Sequence, residues 1–599
     1  MKKILVIPLL FIAVVLSAAP IGENRAKEIA LSFFAKSATR SAAPAVELAW
    51  AGDDIAAVKG KFNASATNLG ASLLYIYNRT DAKGYVVVAG DDTVRPIIAF
   101  SHENSIDVTN LPAGARAMLA AWCKQVAASR AGQRAATRTS TTDDGVGQVV
   151  VKYNTAQWNQ GTPFNNYAPV YDGCTSVTGC VATALSIICK YNEWPNQGVG
   201  TTPSYSYADD NGVTRTIEAN TLGHTYDYSL MRSDNYTGGY TEAEGHAVAT
   251  LMKDIGRAVK MHYHYNGSGA QSENAFAGMI RHFKYSKSAR ILYGESYESG
   301  EWFDIIAANI SKCGPTYYAA TDGEGGHAFV LDGYTTGRYI SVNYGWGGSA
   351  NGYYLMPDMI YIYASSIFVD FVPDRDGTSQ SVDQLAYFAL SNGTSLVYTG
   401  LTPSGDINTQ STSRVSYGGV MNVGVEDFNG DLRIAHCDKN GNVKSVPVKE
   451  FSASITAGNF IYDSKQVTFD AGVTIATGDK LVMQYRGANS TEWQTVMRAD
   501  NTCAQEILLK PTPEEIAAAI AFEYKMESSR YGYQIHLSTL GNRSAMYLPF
   551  TVTSSAGDVV ANKTISMVSS TKVATYNLSG EYTVKVTCND VPYEFKVVF

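Results

Sequence analysis

The sequence predicts an α+β chain of several domains: a small α+β unit, a larger α+β unit of two subdomains, and antiparallel β-sandwich domains behind them. Three observations carry this reading. The first 130 residues mix helical and extended patterning. Residues 149–375 place helices first and strands later, the order of a two-subdomain α+β unit with a cleft between its halves. Residues 376–599 break into short alternating runs, SLVYTG, RVSYGGVMNVGV, KQVTFD and KLVMQYR, separated by Asn-Gly, Ser-Gly and Asp-Gly turns, as β-sandwiches do. A chain of 599 residues is also too long for one hydrophobic core.

Lys2 and Lys3 precede an apolar run, Ile4–Leu16, and then Ser17, Ala18 and Ala19. This reads as a signal peptide over 1–19, cut near Ser17 or Ala18 because Pro20 disfavours a cut directly before it. The chain is therefore expected to be exported, secreted or cell-surface associated. The run is short for a membrane span and no later stretch replaces it, so no stable membrane insertion is expected.

Residues 20–130 form the first unit. ENRAKEIALSFFAK (23–36) has helical spacing at Ala26, Ile29, Ala30, Phe33 and Phe34. Extended pieces follow at 73–78, 85–92 and 96–101, and a second helix at 111–129. Residues 131–148 lack apolar periodicity and carry Arg134 and Arg138, which marks an exposed linker open to cleavage.

In 149–375, VATALSIICKY puts Val181, Ala184, Leu185 and Ile188 on one helical face beginning near Cys180. Further helices are expected at 242–260 and 300–312, and strands at 316–320, 327–334, 338–344 and 352–356. Two sandwiches follow, over 376–510 and 511–599, with 511–526 a helix or a junction. Asp427–Asp431 reads as a hairpin turn in preference to a calcium loop.

Composition excludes some classes. A formal net charge of −8 gives no electrostatic case for nucleic acid. The eight cysteines are too scattered for a disulfide scaffold and contain no C-x-x-C pair, so neither a metal nor a cofactor is expected.

The chemistry gathers around Cys180. A cysteine in the first turn of a helix meets the positive dipole end and free N–H groups, which favour thiolate. Gly179 before it lets a substrate backbone approach. The required base is His327, 147 residues later, inside the interval of about 130–150 known for one class of Cys–His enzymes. Gly325 and Gly326 lead into its strand. His262 and His264 alternate in MHYHY and read as structural or surface residues. If the following turn centres on Thr335, His327 faces Asn343 across an antiparallel hairpin, where an amide could hold the imidazole tautomer. A register slip would break that pairing. Tyr344 and Trp346, beside glycines, could shield the pair from water. The Cys180 N–H and the Gln160 amide are candidate oxyanion donors.

The segments WNQGTPFNNYAPV (158–170), GCVATALSIICKYNEWP (179–195), GGHAFVLDGY (325–334) and VNYGWGG (342–348) resemble the streptopain family of papain-like secreted cysteine peptidases, over roughly residues 20–375. The resemblance implies a papain-like fold, Cys180 as nucleophile, His327 as base, Gln160 at the oxyanion and Asn343 as the orienting residue. Tyr344 departs from the family's Trp at that place. RAKEIALSFF, LYIYN and GYVVVAGDD resemble the family's pro-domain, which implies an intramolecular inhibitor, with Asn78 where the family sends a loop toward the nucleophile. Protein or peptide substrates are implied, with a bulky hydrophobic residue one position before the residue whose bond is cut.

Two other readings use the same residues. A Cys–His acyltransferase of transglutaminase type would share the nucleophile. A surface adhesin would use the β domains, which are candidate binders of surface or matrix ligands.

Overall fold

The computed structural model describes residues 20–37, 43–53, 72–111, 113–130, 145–209, 211–321, 325–356, 363–391, 396–405, 407, 413–471, 473, 475, 478–509, 522–529, 532–539, 546–567, 570–576, 578–588 and 591–599. The expected signal peptide of 1–19, most of the expected linker of 131–148 and residues 511–521 of the expected helix or junction lie outside the described residues; residues 522–526 begin a strand, Phe522–Ser529, and not a helix.

The N-terminal unit contains α1 (Glu23–Ser37), β1 (Val46–Gly52), β2 (Leu74–Arg79), β3 (Tyr85–Ala89), β4 (Ile97–Ser101) and α2 (Ala113–Arg130). Ala26, Ala30, Phe33 and Phe34 of α1 are buried, as their spacing predicts. The next unit contains β5 (Val149–Lys152), α3 (Cys180–Asn192), α4 (Glu242–Ala258), α5 (Ser272–Phe283), β6 (Arg290–Tyr293), α6 (Ser299–Cys313), β7 (Thr316–Thr321), β8 (Gly326–Thr335), β9 (Tyr339–Asn343), β10 (Gly352–Leu355) and β11 (Tyr363–Val369). Strand β1 and helix α5 were not among the expected elements.

The two units share one sheet. Its 11 strands include the order β1-β2-β3-β4-β10-β9-β8-β7-β11-β6, with β5 also on β8. The seam is β4 against β10, antiparallel, with Phe100 opposite Tyr353 and Ala99 opposite Tyr354. Gly352 is required there, because a Cβ would lie 2.5 Å from the Phe100 carbonyl and 2.6 Å from the Tyr85 hydroxyl. On one face Phe100 stacks on Tyr353 at 4.8 Å. On the other, Trp122 of α2 stacks on Tyr354 at 5.6 Å. Tyr339 donates to the Ile97 carbonyl at 2.6 Å. Apolar cores on both faces therefore contain residues of both units.

Helix α3 is apolar on nearly every side, and Val181 to Cys189 are all buried, as expected of a central helix. It packs with α4, α5 and β8 around a second core.

Behind this unit, strands Ser413–Asn422 and Phe460–Val467 belong to one sheet and Phe428–Cys437, Val443–Ile455 and Lys480–Gly487 to another. One core fills the space between them, which makes a sandwich. Residues 522–599 repeat that plan with a three-stranded and a four-stranded sheet over their own core. The expected turn at Asp427–Asp431 is corrected. Phe428 to Asp431 continue a strand paired with Ser452 to Ile455, because the partner strand is long enough to absorb the Asn-Gly pair into the ladder.

Candidate active site

Gly179 caps α3 with φ +86, and Cys180 is its first residue. The entry is pinned on three sides. Thr178 N–H donates to the Gln160 carbonyl at 3.1 Å, the Thr178 and Thr183 hydroxyls lie 2.9 Å apart, and Thr183 also donates to the Gly179 carbonyl. The first-turn N–H groups of a helix have no partner within it, so the backbone at Cys180 presents donors beside the thiol.

His327 sits near the start of β8, opposite Ala320 of β7. Cys180 and His327 line a single open cleft of about 510 Å³. Trp346 stacks on the imidazole at 4.8 Å and on Tyr344 at 4.7 Å. The imidazole, Trp346 and Tyr344 thus form one stacked aromatic group.

The expected facing of His327 and Asn343 is corrected. Asn343 lies opposite Val330, and the register shifts again between Leu331 and Gly333. The turn centres about two residues later than supposed, with Arg338 N–H donating to the Thr335 carbonyl and Arg338 at φ +69. The residue opposite His327 would fall beyond the end of β9. The chain curves back there, and the Tyr344 carbonyl lies 3.0 Å from His327 Nε2. Asn343 donates instead to Thr155 Oγ1 and the Ala156 carbonyl, both at 2.9 Å, and accepts from Gly345 N–H at 3.1 Å. It fixes the backbone that carries Tyr344.

Two further expectations change. Asn78 does not reach the cleft: its amide donates to the Ile106 carbonyl at 2.8 Å and accepts the Ile106 N–H at 2.9 Å, so it locks a loop of its own unit. Asn104 of the same unit instead bonds the segment ahead of α3, its amide oxygen accepting from Gln157 at 3.1 Å. His262 and His264, read as structural or surface residues, line the cleft with Cys180. His262 stacks on Tyr207 at 4.5 Å. Gln160 is anchored through its carbonyl to Thr178, the residue before Gly179, and among the described residues its side-chain amide makes no hydrogen bond.

Burial dominates the electrostatics. It pushes the Cys180 thiol above its ordinary value, while hydrogen bonds from Ala328, Val181 and Cys180 backbone N–H groups pull the other way without winning. The expected thiolate is thus opposed by desolvation. Burial lowers His327 to about 4 from 6.5, against the opposing contact with the Tyr344 carbonyl. Both shifts favour a neutral thiol and a neutral imidazole in this covered form.

That has a consequence for stability. Between pH 6.5 and about 4 the unfolded chain takes up a proton at His327 that the folded chain refuses. Stability from this group is complete above pH 6.5 and is lost as pH falls through that window, by up to about 3 kcal/mol. Urea unfolding of the precursor across this range should show the loss, and His327→Ala should flatten it.

The comparisons with known proteins fit this geometry. The sequence profile described as Peptidase C10 family matches residues 158–354, the stretch that holds Cys180 and His327. The chain carries a peptidase C10 domain. Ahead of it, residues 18–126 match the Spi protease inhibitor profile. The thiol protease/hemagglutinin PrtT of Porphyromonas gingivalis is 30% identical over 349 residues, covering 56% of this chain and 39% of that protein. Streptopain of Streptococcus pyogenes is 27% identical over 349 residues, covering 55% of this chain and 84% of that one. The chain thus spans about two fifths of the first relative. Among solved structures, prointerpain A of Prevotella intermedia is 25% identical, covers 55% of this chain and all of its own, and has a TM-score of 0.43.

Within the C10 domain, two glycines make opposite predictions. A Cβ on Gly179 would lie 2.6 Å from Met261 Sδ and 2.8 Å from the Ser268 carbonyl, at a left-handed φ. A Cβ on Gly326 would meet only the Ala320 carbonyl at 3.9 Å. Gly179→Ala should lower stability by about 2 kcal/mol and displace Cys180, while Gly326→Ala should stay within about 0.5 kcal/mol. Thermal unfolding of the two variants checks the contrast.

Proposed function

We propose that this chain is an exported cysteine endopeptidase made as a latent precursor. The Cys180 sulfur attacks a peptide carbonyl while His327 takes the thiol proton and passes it to the leaving amine. Water then cleaves the thioester, with His327 again as base. The Cys180 N–H and the Gln160 amide hold the oxyanion. Asn343 supports the Tyr344 carbonyl, which orients the imidazole. The observation that carries this reading is Cys180 in the first turn of α3 sharing one cleft with His327 beneath Trp346.

Residues 20–130 act as a tethered inhibitor, docked along the sheet edge that leads to Tyr344. Tethering gives such an inhibitor a high effective concentration, and cutting within 131–148 releases it. The signal peptide directs export, and the β-sandwiches serve as binders of surface or matrix ligands. Substrates are proteins or peptides, with an apolar residue next to the one whose bond is cut.

The test is to treat matured protein with an E-64-type epoxide and to analyse its products from casein by mass spectrometry. The expected results are a label on Cys180, cleaved peptides, and no cleavage after labelling. Cross-linked or deamidated glutamine without cleavage would favour the acyltransferase reading. Cleavage that survives full labelling of Cys180 would reject the proposed nucleophile.

A further inference from the structure

Part of the cleft wall is formed by Ser272 at the start of α5 and by Ala364 and Ser366 of β11. β11 lies beyond the C10 match, which ends at 354. Ser366 donates to Ser272 at 3.0 Å, tying the two elements together. Ala364 has φ +43, a conformation that costs a non-glycine residue energy and persists only where neighbours hold it. Its N–H donates to Glu295 Oε1 at 3.3 Å.

Glu295 is in turn held by the first β-sandwich. Arg498, 5% exposed, donates through Nε to the Glu295 carbonyl at 2.5 Å. Its backbone N–H donates to the Ser296 hydroxyl, and that hydroxyl donates back to the Arg498 carbonyl, both at 3.0 Å. A second tie reaches α5. Phe388 of the sandwich packs edge-on against Tyr293 at 5.7 Å, and Tyr293 donates to Glu273 Oε1, beside Ser272, at 2.8 Å. At the far end of α5, Arg281 donates to the Val425 carbonyl at 2.7 Å. The Gln384 side chain covers the edge strand β6, accepting from Ile291 N–H at 2.9 Å. Ala386, Val423, Val425 and Ala499 of the sandwich belong to the same core as α3.

We propose that the first β-sandwich is a structural part of the substrate cleft, with Arg498 as a positioning residue that sets the β11 wall through Glu295. The ligand of that wall is the extended peptide substrate itself, so the inference rests on the peptidase reading of the cleft. Arg498 touches neither Cys180 nor His327, and its loss changes how substrate is held without changing the reacting pair.

The test compares matured wild-type chain with Arg498→Ala, Glu295→Ala and Glu295→Gln. Arg498→Ala and Glu295→Ala should each raise KM for a peptide substrate about tenfold, the worth of one or two hydrogen bonds. kcat and the rate of Cys180 alkylation by iodoacetamide should stay within about twofold. The double variant should be no worse than either single one, because both break one path. Glu295→Gln keeps an acceptor and should behave as wild type. If Arg498→Ala yields no folded protein, the Glu295→Ala and Glu295→Gln pair decides. An unchanged KM in both alanine variants overturns the inference, as does an equal fall in kcat and alkylation rate, which marks general damage. A wild-type chain without Cys180-dependent cleavage overturns the peptidase reading, and this inference with it.

Discussion

Cys180→Ala is expected to reduce peptide cleavage by on the order of 10⁴-fold or more and to leave the precursor at full length. His327→Ala should match it, and the double variant should lose little more, because residues acting as one unit are not additive. Asn343→Ala should behave differently. With the Tyr344 carbonyl on His327 Nε2, the amide is not the imidazole's partner. Asn343 is 2% exposed, and its bonds run to Thr155, Ala156 and Gly345. Removing them should destabilise the chain by about 2 kcal/mol and lower cleavage only about tenfold through a displaced Tyr344. Steady-state kinetics beside urea unfolding separates these outcomes. An Asn343→Ala loss as deep as that of His327→Ala would mean that the amide itself orients the imidazole.

Much of the site was legible because its signals are local. Cys180 stands where the apolar face of a helix begins, and Trp346 follows Gly345 in a short aromatic loop; both arrangements recur in the fold. What escaped the sequence was relational. The hairpin register depended on a turn centre and a bulge at Leu331 and Gly333, and a register error of three residues moved Asn343 from His327 to Val330. The acceptor that replaced it is a backbone carbonyl, which every residue possesses and no motif marks. His262 and His264 were discounted because alternation indicates one face of an extended segment without saying what that face meets; here it meets the cleft. The preference for thiolate at a helix start was a sound local argument that burial of Cys180 outweighs. Edge pairing between β4 and β10 was equally invisible, since nothing in either short strand names its partner.

That pairing supports the last prediction. Phe100→Ala is expected to loosen the N-terminal unit from the C10 domain. Phe100 is 1% exposed and packs between Phe33 at 4.9 Å and Tyr353 at 4.8 Å, with Tyr339 at 5.7 Å. It therefore joins α1 to β9 and β10 in one core. Truncating such a ring typically costs about 3–5 kcal/mol, which multiplies the open population about a hundredfold or more. An open β10 presents an unpaired sheet edge, the kind of surface to which an inhibitor adds a strand. Docking by strand addition explains how a small unit can cover a larger one without filling its cleft with side chains: among the described residues, none that lines the cleft comes from the N-terminal unit. Hydrogen exchange of the Cys180→Ala precursor should then quicken together at 97–101 and 352–355 in the Phe100→Ala variant, while α3 keeps its protection. Exchange that quickens in α3 to the same degree would mean that the two units open as one, and that the seam is no separate point of release.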